Sequence, residues 1–480
     1  MSETNFELNG RRVDLAGTQP TLSLLRWLRT QRLTGTKEGC ADGDCGACTV
    51  ALIENGVDGG AHFQAVNSCL LPMGALPGRR VLTVEALSDG DRLHPVQSAL
   101  VDCAGSQCGY CTPGFVMSLF VDYYGGHLND HTTEGNLCRC TGYRPIRAAT
   151  AMLDASERPP DRFSAMLTTR DVPAGGEVLG EFFSPASLDE ALALKSVYPE
   201  AAWIAGATDL GVNLSHGHSV APAFIALDRI AALQQLQISA DRVRIGAGVS
   251  LSRLETELAG VFPALDGMLP WFAARQVRNR ATFGGNLGSA SPIGDLLPIL
   301  LALDAQIELI GPLGIRNVPA DEFFLSYRKT ARAPDELIAA VSIPRFRRSD
   351  QAADTVTTGD TAARGGSDGA AIRVQASYKV AKRQTDDISI VAAVFVLEFD
   401  ARRQITYARL AYGGVAAIPL RAKQTEAFLV GLTLDNACVA EVARRLEAEF
   451  TPLSDHRSGA EYRRQLSGGL FAKFVAEKCA

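Results

Sequence analysis

The chain has 480 residues, 46% of them hydrophobic and 21% charged, with a formal net charge of -6 and a pI near 5.8. That length exceeds what one hydrophobic core usually serves, so two to four domains are expected. The mild acidity gives no sign of a nucleic-acid partner, and the composition is that of an ordinary soluble protein.

Residues Met1 to Arg12 are polar and lead into alternating Phe6, Leu8, Val13 and Leu15, with no apolar stretch for a signal peptidase. The pair Arg11-Arg12 is not an export signal, because Asp14 follows at once and Asn9-Gly10 reads as a hairpin turn. Leu296 to Leu303, the longest apolar stretch, contains Pro298 and is flanked by Asp295 and Asp304, too short to span a bilayer. The expected location is the cytoplasm. In that reducing compartment, eleven cysteines need an explanation other than disulfides. Nine lie between Cys40 and Cys140, and only Cys438 and Cys479 lie outside.

Along the chain, the hairpin is followed by an amphipathic helix from about Leu22 to Leu33, with Pro20 and Thr21 as lead-in and cap residues, then a glycine-rich loop and a strand from Thr49 to Ile53. Residues 88–156 read as wholly helical, with starts at His94-Pro95, Thr112-Pro113 and Arg144-Pro145. Ser156 to Glu177 lacks periodicity and reads as an exposed linker. Ser187 and Glu190 predict a capping box for a helix to about Tyr198, followed by strand-like runs separated by glycine-rich turns. Residues 350–370, rich in Asp, Thr, Ala and Gly, read as a mobile insertion. A hairpin-like stretch from Val391 to Leu410 and then helices form a C-terminal lobe. The expected boundaries are 1–87, 88–156, a linker at 157–178, 179–349, the insertion at 350–370, and 371–480.

Cys40, Cys45, Cys48 and Cys69 give C-x4-C-x2-C and a fourth cysteine, the plant-type 2Fe-2S arrangement. Gly39, Gly43 and Gly46 supply the dihedrals and close approach that wrapping a cluster demands. Cys108-x2-Cys111 and Cys138-x-Cys140 form a second quartet at helix ends; zinc competes for it, although zinc usually prefers wider hooks than Cys-x-Cys. Cys103, Cys438 and Cys479 read as thiols with no ligand role.

Two glycine-bearing loops follow, WIAGATDLG from Trp203 and TFGGNLGS from Thr282. Gly206, Gly284 and Gly285 would let backbone N–H groups approach a pyrophosphate, and Thr208, Asn286 and Ser289 could bind phosphate or ribose. An ordinary turn is the competing reading for each loop. Neither fits G-x-G-x-x-G, and Gly246-Ala-Gly248 lacks the third glycine of a Rossmann site.

The stretches GCADGDCGACTV, GSQCGYCTPGF and GNLCRCTGYRPI resemble, in order, the signature segments of the xanthine dehydrogenase and aldehyde oxidase family of molybdenum hydroxylases. FAARQVRNRATFGGNLGSASPIGDLLP and WIAGATDLG are similar to its FAD-binding segments. The resemblance implies an α+β multidomain fold: a β-grasp ferredoxin-like domain for the first quartet, a four-helix 2Fe-2S domain for the second, and a vanillyl-alcohol-oxidase-like FAD domain with an α+β C-terminal lobe. By matched position, FAD contacts fall on Trp203, Ile204, Ala205, Gly206, Ala207, Thr208, Asp209, Leu210, Phe272, Thr282, Phe283, Gly284, Gly285, Asn286, Asp295, Ile338 and Lys379. Core packing is the alternative for Phe272 and Ile338, and a solvated surface position for Lys379. A cation at Lys379 would stabilise reduced flavin. Gln107 matches a pterin-contacting position, and the second cluster is implied to lie nearest the molybdopterin.

The fused layout is similar to the xanthine dehydrogenase branch rather than to relatives with separate flavin and cluster subunits. It implies electron flow from molybdopterin through both clusters and FAD to NAD as a purine is hydroxylated. It also implies a molybdopterin-binding large subunit on a separate polypeptide, assembled as a dimer of heterodimers, with no catalytic hydroxylation residue on this chain. The corresponding subunit of an aldehyde or other N-heterocycle hydroxylase, and a stand-alone iron-sulfur flavoprotein carrier, are the competing readings.

Overall fold

Asn9 and Gly10 both take positive φ, 54° and 77°, the backbone that a two-residue hairpin turn needs to match strand twist. They join β1 (Asn5–Leu8) to β2 (Arg11–Asp14), with Leu8 opposite Arg11. The next element, α1 (Leu24–Thr30), is shorter than the helix expected from Leu22 to Leu33. Its cap is Ser23, whose hydroxyl accepts from the Arg26 N–H, rather than Thr21; the Leu22 carbonyl is engaged instead by the Met73 N–H. With β3 (Thr49–Asn55), β4 (Ala61–Asn67) and β5 (Arg80–Leu82), the hairpin forms a five-stranded sheet ordered β2-β1-β5-β3-β4, in which β1 and β5 run parallel. The computed structural model describes residues 4–56, 60–126, 128–168, 178–218, 220–346, 372–383 and 385–479; the insertion expected at 350–370 lies outside them.

Strand β3 explains its own unbroken apolar run. Val50 and Leu52 point into the core that holds Phe6, Leu24 and Trp27, while Ala51 and Ile53 point into a second core made with the helices that follow. A strand buried on both faces reads as continuous rather than alternating. Those helices are α2 (Pro95–Asp102), α3 (Thr112–Gly125) and α4 (Arg144–Asp154), each with its proline in the first turn as expected. The fourth is α5 (Arg162–Met166), which occupies part of the stretch read as linker. It is fixed from afar. Asp161 caps it through the Phe163 and Ser164 N–H groups, and Asp161 also accepts from the Tyr124 hydroxyl, which is bonded to His94 Nε2. Burial draws the His94 pKa down to about 4, so the ring stays neutral within this chain. Arg162 donates to the carbonyls of Ala86, Leu87 and Ser88.

The first lobe of the next region contains β6 (Val178–Leu179), β7 (Phe182–Phe183), α6 (Leu188–Val197), β8 (Ala202–Ile204), α7 (Leu210–Ser215) and β9 (Phe224–Ala226). The Ser187 cap is present, accepting from the Glu190 N–H, but the Glu190 carboxylate reaches the Ala186 N–H, so the reciprocal bond of a capping box is displaced by one residue. Its sheet is ordered β6-β7-β9-β8, and Phe182, Ile204 and Phe224 enter the same core as Phe6 and Trp27. The chain accordingly divides into two units, the first taking residues 1–233, 250–252 and 273–282.

The second unit takes residues 234–249, 253–272 and 283–480. Its side of the chain runs through β10 (Leu236–Ile238), β11 (Arg242–Gly246), α8 (Leu251–Glu257), α9 (Pro263–Met268), α10 (Arg275–Arg278), α11 (Phe283–Ser289), α12 (Leu297–Ala302), β12 (Gln306–Gly311), β13 (Gly314–Pro319), α13 (Ala320–Phe323), β14 (Phe324–Ser326), β15 (Lys329–Thr330) and β16 (Leu337–Pro344); α10 and the start of α8 belong to the first unit. One sheet is ordered β10-β11-β16-β12-β13. A second contains β17 (Ile372–Val380), β18 (Val391–Phe399), β19 (Ile405–Gly413) and β20 (Leu420–Arg421), covered by α14 (Lys423–Leu429), α15 (Asn436–Glu449) and α16 (Ala460–Phe474) over a core that includes Phe395, Leu446 and Phe471. Among the described residues no helix is long and apolar enough to cross a membrane.

The segment 273–282 is bound into the first unit by consecutive polar contacts. Arg275 pairs with Asp122 at 2.7 Å, Gln276 Nε2 donates to Ser118 and Asn136 at 3.1 and 3.3 Å, and Asn279 donates to the Ala65 carbonyl at 2.8 Å. Arg278 forms an ion pair with Glu134 in which both side chains are under a tenth exposed. Arg278→Met would leave the buried Glu134 carboxylate with only the exposed His131 ring beside it at 3.2 Å, and a loss of up to about 3 kcal/mol is expected in denaturant unfolding of the first unit. The Glu134→Gln/Arg278→Met double variant should recover part of it. Unchanged stability in the single variant would contradict the role given to the pair.

Candidate cofactor sites

Both quartets are assembled as pairs of thiols. In the loop before β3, the N–H groups of Asp42 and Cys45 donate to Cys40 Sγ at 3.4 and 3.3 Å, and the Cys40 N–H donates to Cys45 Sγ at 3.3 Å. Such wrapping leaves no room for a side chain at Gly39, where a Cβ would lie 2.5 Å from Cys45 Sγ. Gly43 and Gly46 take φ of 89° and 66°, a region that favours glycine. Cys48 and Cys69 bring their sulfurs within 3.3 Å, and Asn67 braces the loop by donating to the Gly43 carbonyl at 2.7 Å. Hydrogen bonding with Cys45, helped by backbone N–H groups, draws the Cys40 thiol down to about 5 and holds Cys45 up. The same sharing lowers Cys48 and raises Cys69.

The second quartet sits ahead of two helix N-termini, with Cys111 as the residue preceding α3 and Cys138 and Cys140 in the loop before α4. Cys108 and Cys140 are exposed with their sulfurs 3.4 Å apart, and Cys111 is hydrogen-bonded to Cys138. Burial and that bond push Cys111 up to about 12; against burial, bonds from the Thr141 hydroxyl and N–H hold Cys138 down. Two thiols per metal is what a 2Fe-2S rhomb takes, whereas a tetrahedral zinc takes four at one point. Cys103 ends α2 and packs on the helical core, and Cys438 and Cys479 pack on the C-terminal core. Gln107 is exposed beside Cys108.

The two loops touch through backbone. The Leu137 N–H donates to the Cys45 carbonyl at 3.0 Å, Asn136 Nδ2 donates to the Gly46 carbonyl at 2.9 Å, and the Tyr110 hydroxyl donates to the Glu38 carbonyl. A Cβ on Gly46 would stand 2.1 Å from the Gly135 oxygen, and one on Gly114 would stand 2.2 Å from the Gly46 oxygen.

In the first unit, the loop after β8 turns at Ala207, whose φ is 64°. The N–H groups of Gly206, Ala207 and Thr208 have no acceptor among the described residues. Gly206 and Thr208 line a small cleft with Gln276 and Arg280. Arg280, its side chain 11% exposed, pairs with Asp228 at 3.3 Å and leaves a buried Nε without a partner. Successive unspent amides beside a buried guanidinium suit a phosphate oxygen. The absence of a side chain at Gly206 answers to packing, since a Cβ would meet the Arg280 carbonyl at 1.7 Å. Gly211 is held likewise against the carbonyl of Leu70, the neighbour of Cys69, at 2.4 Å from a built Cβ. Trp203, Ala205 and Leu210 are half-buried, Ile204 and Thr282 are buried, and Asp209 is exposed.

In the second unit, Phe283 and Gly284 spend their N–H groups on the carbonyls of Val249 and Ala247, so these two do not serve an anion. Gly284 is also demanded by packing, with a Cβ 2.4 Å from that of Ala247, whereas Gly285 is exposed. Asn286 keeps a buried side-chain oxygen with no partner. Ile338 is a core residue of β16 opposite Leu309, and Phe272 is half-buried. Lys379 is not a surface lysine. Its side chain is 5% exposed, donating to Asp295 at 2.8 Å and to the carbonyl of Trp271, the neighbour of Phe272, at 2.8 Å. The other Asp295 oxygen accepts from Ser389. Two supporting residues escaped the sequence reading, Asn67 and Ser389, and Gln276 lay inside a quoted motif without a role. Asn136 lay inside a quoted motif without a role.

Four domain families match the chain: the 2Fe-2S iron-sulfur cluster binding domain over residues 6–73, the [2Fe-2S] binding domain over 83–151, the FAD binding domain in molybdopterin dehydrogenase over 177–346, and the CO dehydrogenase flavoprotein C-terminal domain over 376–478. A xanthine dehydrogenase of Emericella nidulans is 31% identical over 98% of this chain and 38% of its own length. Aldehyde oxidase 1 of Macaca fascicularis is 30% identical over 99% of this chain and 39% of its own. The chain thus spans about two fifths of these relatives. Among solved structures, a carbon monoxide dehydrogenase chain from Hydrogenophaga pseudoflava is similar with a TM-score of 0.54 and 26% identity, covering 63% of this chain and 96% of its own.

The paired thiols predict that the purified chain takes up two 2Fe-2S units, and that Cys138→Ser removes one paramagnetic signal after reduction while leaving the other largely intact. Iron and sulfide analysis with paramagnetic resonance checks this. A single signal in the unaltered chain, or stoichiometric zinc, would remove the second quartet from the assignment.

Proposed function

Because the chain belongs to the iron-sulfur and flavin part of the molybdenum hydroxylase family, we propose that it is the cytoplasmic electron-transfer subunit of a xanthine dehydrogenase. Its role is to carry electrons between a molybdopterin-binding partner subunit and NAD while hypoxanthine is hydroxylated to xanthine and then urate. The observation that carries the reading is the backbone bond from Leu137 to Cys45, which ties one thiol quartet to the other in a single unit. Two one-electron centres beside a flavin serve a two-electron donor and a two-electron acceptor that are far apart.

The residues divide the work. Cys40, Cys45, Cys48 and Cys69 hold one cluster, Cys108, Cys111, Cys138 and Cys140 the other, and the exposed pair Cys108 and Cys140 faces the partner, with Gln107 beside it. Asn67 and Asn136 keep the loops in place. In the first unit the amides of residues 206–208 and Arg280 suit a phosphate, and in the second unit Lys379 serves the flavin ring of FAD. When bound, the clusters and FAD supply one-electron conduction joined to hydride exchange with NAD. The partnership is read as a dimer of heterodimers. The identity to an aldehyde oxidase, 30% over 99% of the chain, favours a second reading, the same subunit of an aldehyde or N-heterocycle hydroxylase.

The chain alone, loaded with FAD and clusters, is expected to pass electrons from NADH to an artificial dye and not to oxidise purines. With its partner it should reduce NAD at the expense of xanthine. Turnover with aldehydes alone would transfer the assignment to the second reading. Flavin-loaded protein inert toward NADH and dye would exclude NAD as the acceptor.

A further inference from the structure

Lys379 is a cation withdrawn from water, and its bonds leave something over. Two of its three N–H groups go to Asp295 Oδ2 and the Trp271 carbonyl. The third has no acceptor among the described residues. A buried donor without a partner costs free energy until an acceptor reaches it. Behind Lys379 the chain of bonds continues, because the Ser389 hydroxyl, 1% exposed, donates to Asp295 Oδ1. The three residues come from separate places: Asp295 precedes α12, Lys379 lies on β17, and Ser389 lies just before β18. Asp295 is itself 6% exposed, and both its oxygens are occupied from within the protein.

The field that Lys379 presents through its third N–H depends on how much of its charge Asp295 cancels. A hydroxyl donating to a carboxylate stabilises and spreads the negative charge. In a buried chain of this kind the effect passes along the bonds. With the Ser389 bond in place, Asp295 draws less on the ammonium. Without it, Asp295 Oδ1 is left buried with no donor, and the carboxylate turns its full charge on Lys379.

We propose that Ser389 is a positioning residue that sets, through Asp295, the positive field Lys379 delivers to bound FAD, and so sets the flavin's midpoint potential. The proposal rests on the reading of Lys379 as a flavin contact. Reduction adds two electrons and one proton to the isoalloxazine, so one negative charge remains on it, and a stronger positive field favours the reduced form.

The test is a reductive titration of the full chain loaded with FAD and clusters, following flavin absorbance and the cluster paramagnetic signals in one sample. Ser389→Ala should move the flavin midpoint to more negative values, and Ser389→Thr should bring it back to that of the unaltered chain. Asp295→Asn, which removes the opposing charge, should move it the other way. The cluster midpoints should stay where they are in all three. A Ser389→Ala midpoint equal to the unaltered one with FAD bound overturns the proposal and leaves the flavin reading standing, as does a shift of the same sign in Ser389→Ala and Asp295→Asn. An unaltered chain that takes up no FAD overturns the flavin reading itself, and this proposal with it.

Discussion

Backbone laid directly on backbone is the constraint from which the first unit follows. The Gly46 and Gly114 contacts, and the Gly135 oxygen between them, tolerate no Cβ. They let the Leu137 N–H reach the Cys45 carbonyl. Any side chain there would push one thiol loop off the other, and electron transfer falls steeply with distance. A knot of polar side chains seals the spot: Thr49 donates to the Gly46 carbonyl at 2.6 Å, and Gln276 reaches both Thr49 and Asn136. Gln276 belongs to the segment 273–282, so the same knot that joins the thiol loops fixes that segment within the first unit.

The second unit keeps its buried charge paired. A buried ammonium such as Lys379 is tolerable only with its carboxylate, and removing either partner leaves an uncompensated charge. The pairing also changes what the lysine can do. It is a dipole whose strength is adjustable through Asp295, rather than a bare positive charge.

Features that depend on neighbours in sequence were legible in it. The Asn9-Gly10 turn, the three proline-led helix starts and the cysteine spacing are local, and local chemistry specifies them. The failures share a different cause. Helix α5 was read as linker because its stretch lacks periodicity; its stability comes from His94, Tyr124 and the carbonyls of residues 86–88, which are far away in sequence. Thr21 lost the cap to Ser23 because Leu22 is tied to Met73. Gly284 was noticed for the approach of a ligand, yet its N–H is spent on the Ala247 carbonyl and Ala247 leaves no room for a Cβ there. Single polar residues such as Asn67 and Ser389 carry no spacing pattern, so nothing in the sequence distinguishes them from surface polars. The lobe at 178–233 joins the first unit through apolar contacts that periodicity alone does not assign to a partner.

The central claim is that the two thiol quartets hold clusters close enough to exchange electrons through one contact. Low-temperature paramagnetic resonance of the fully reduced chain tests it most directly. Two reduced 2Fe-2S centres held at this contact should broaden or split each other's signals by dipolar coupling, and the effect should vanish when only one centre is reduced. Two sharp, independent signals at full reduction would contradict the account.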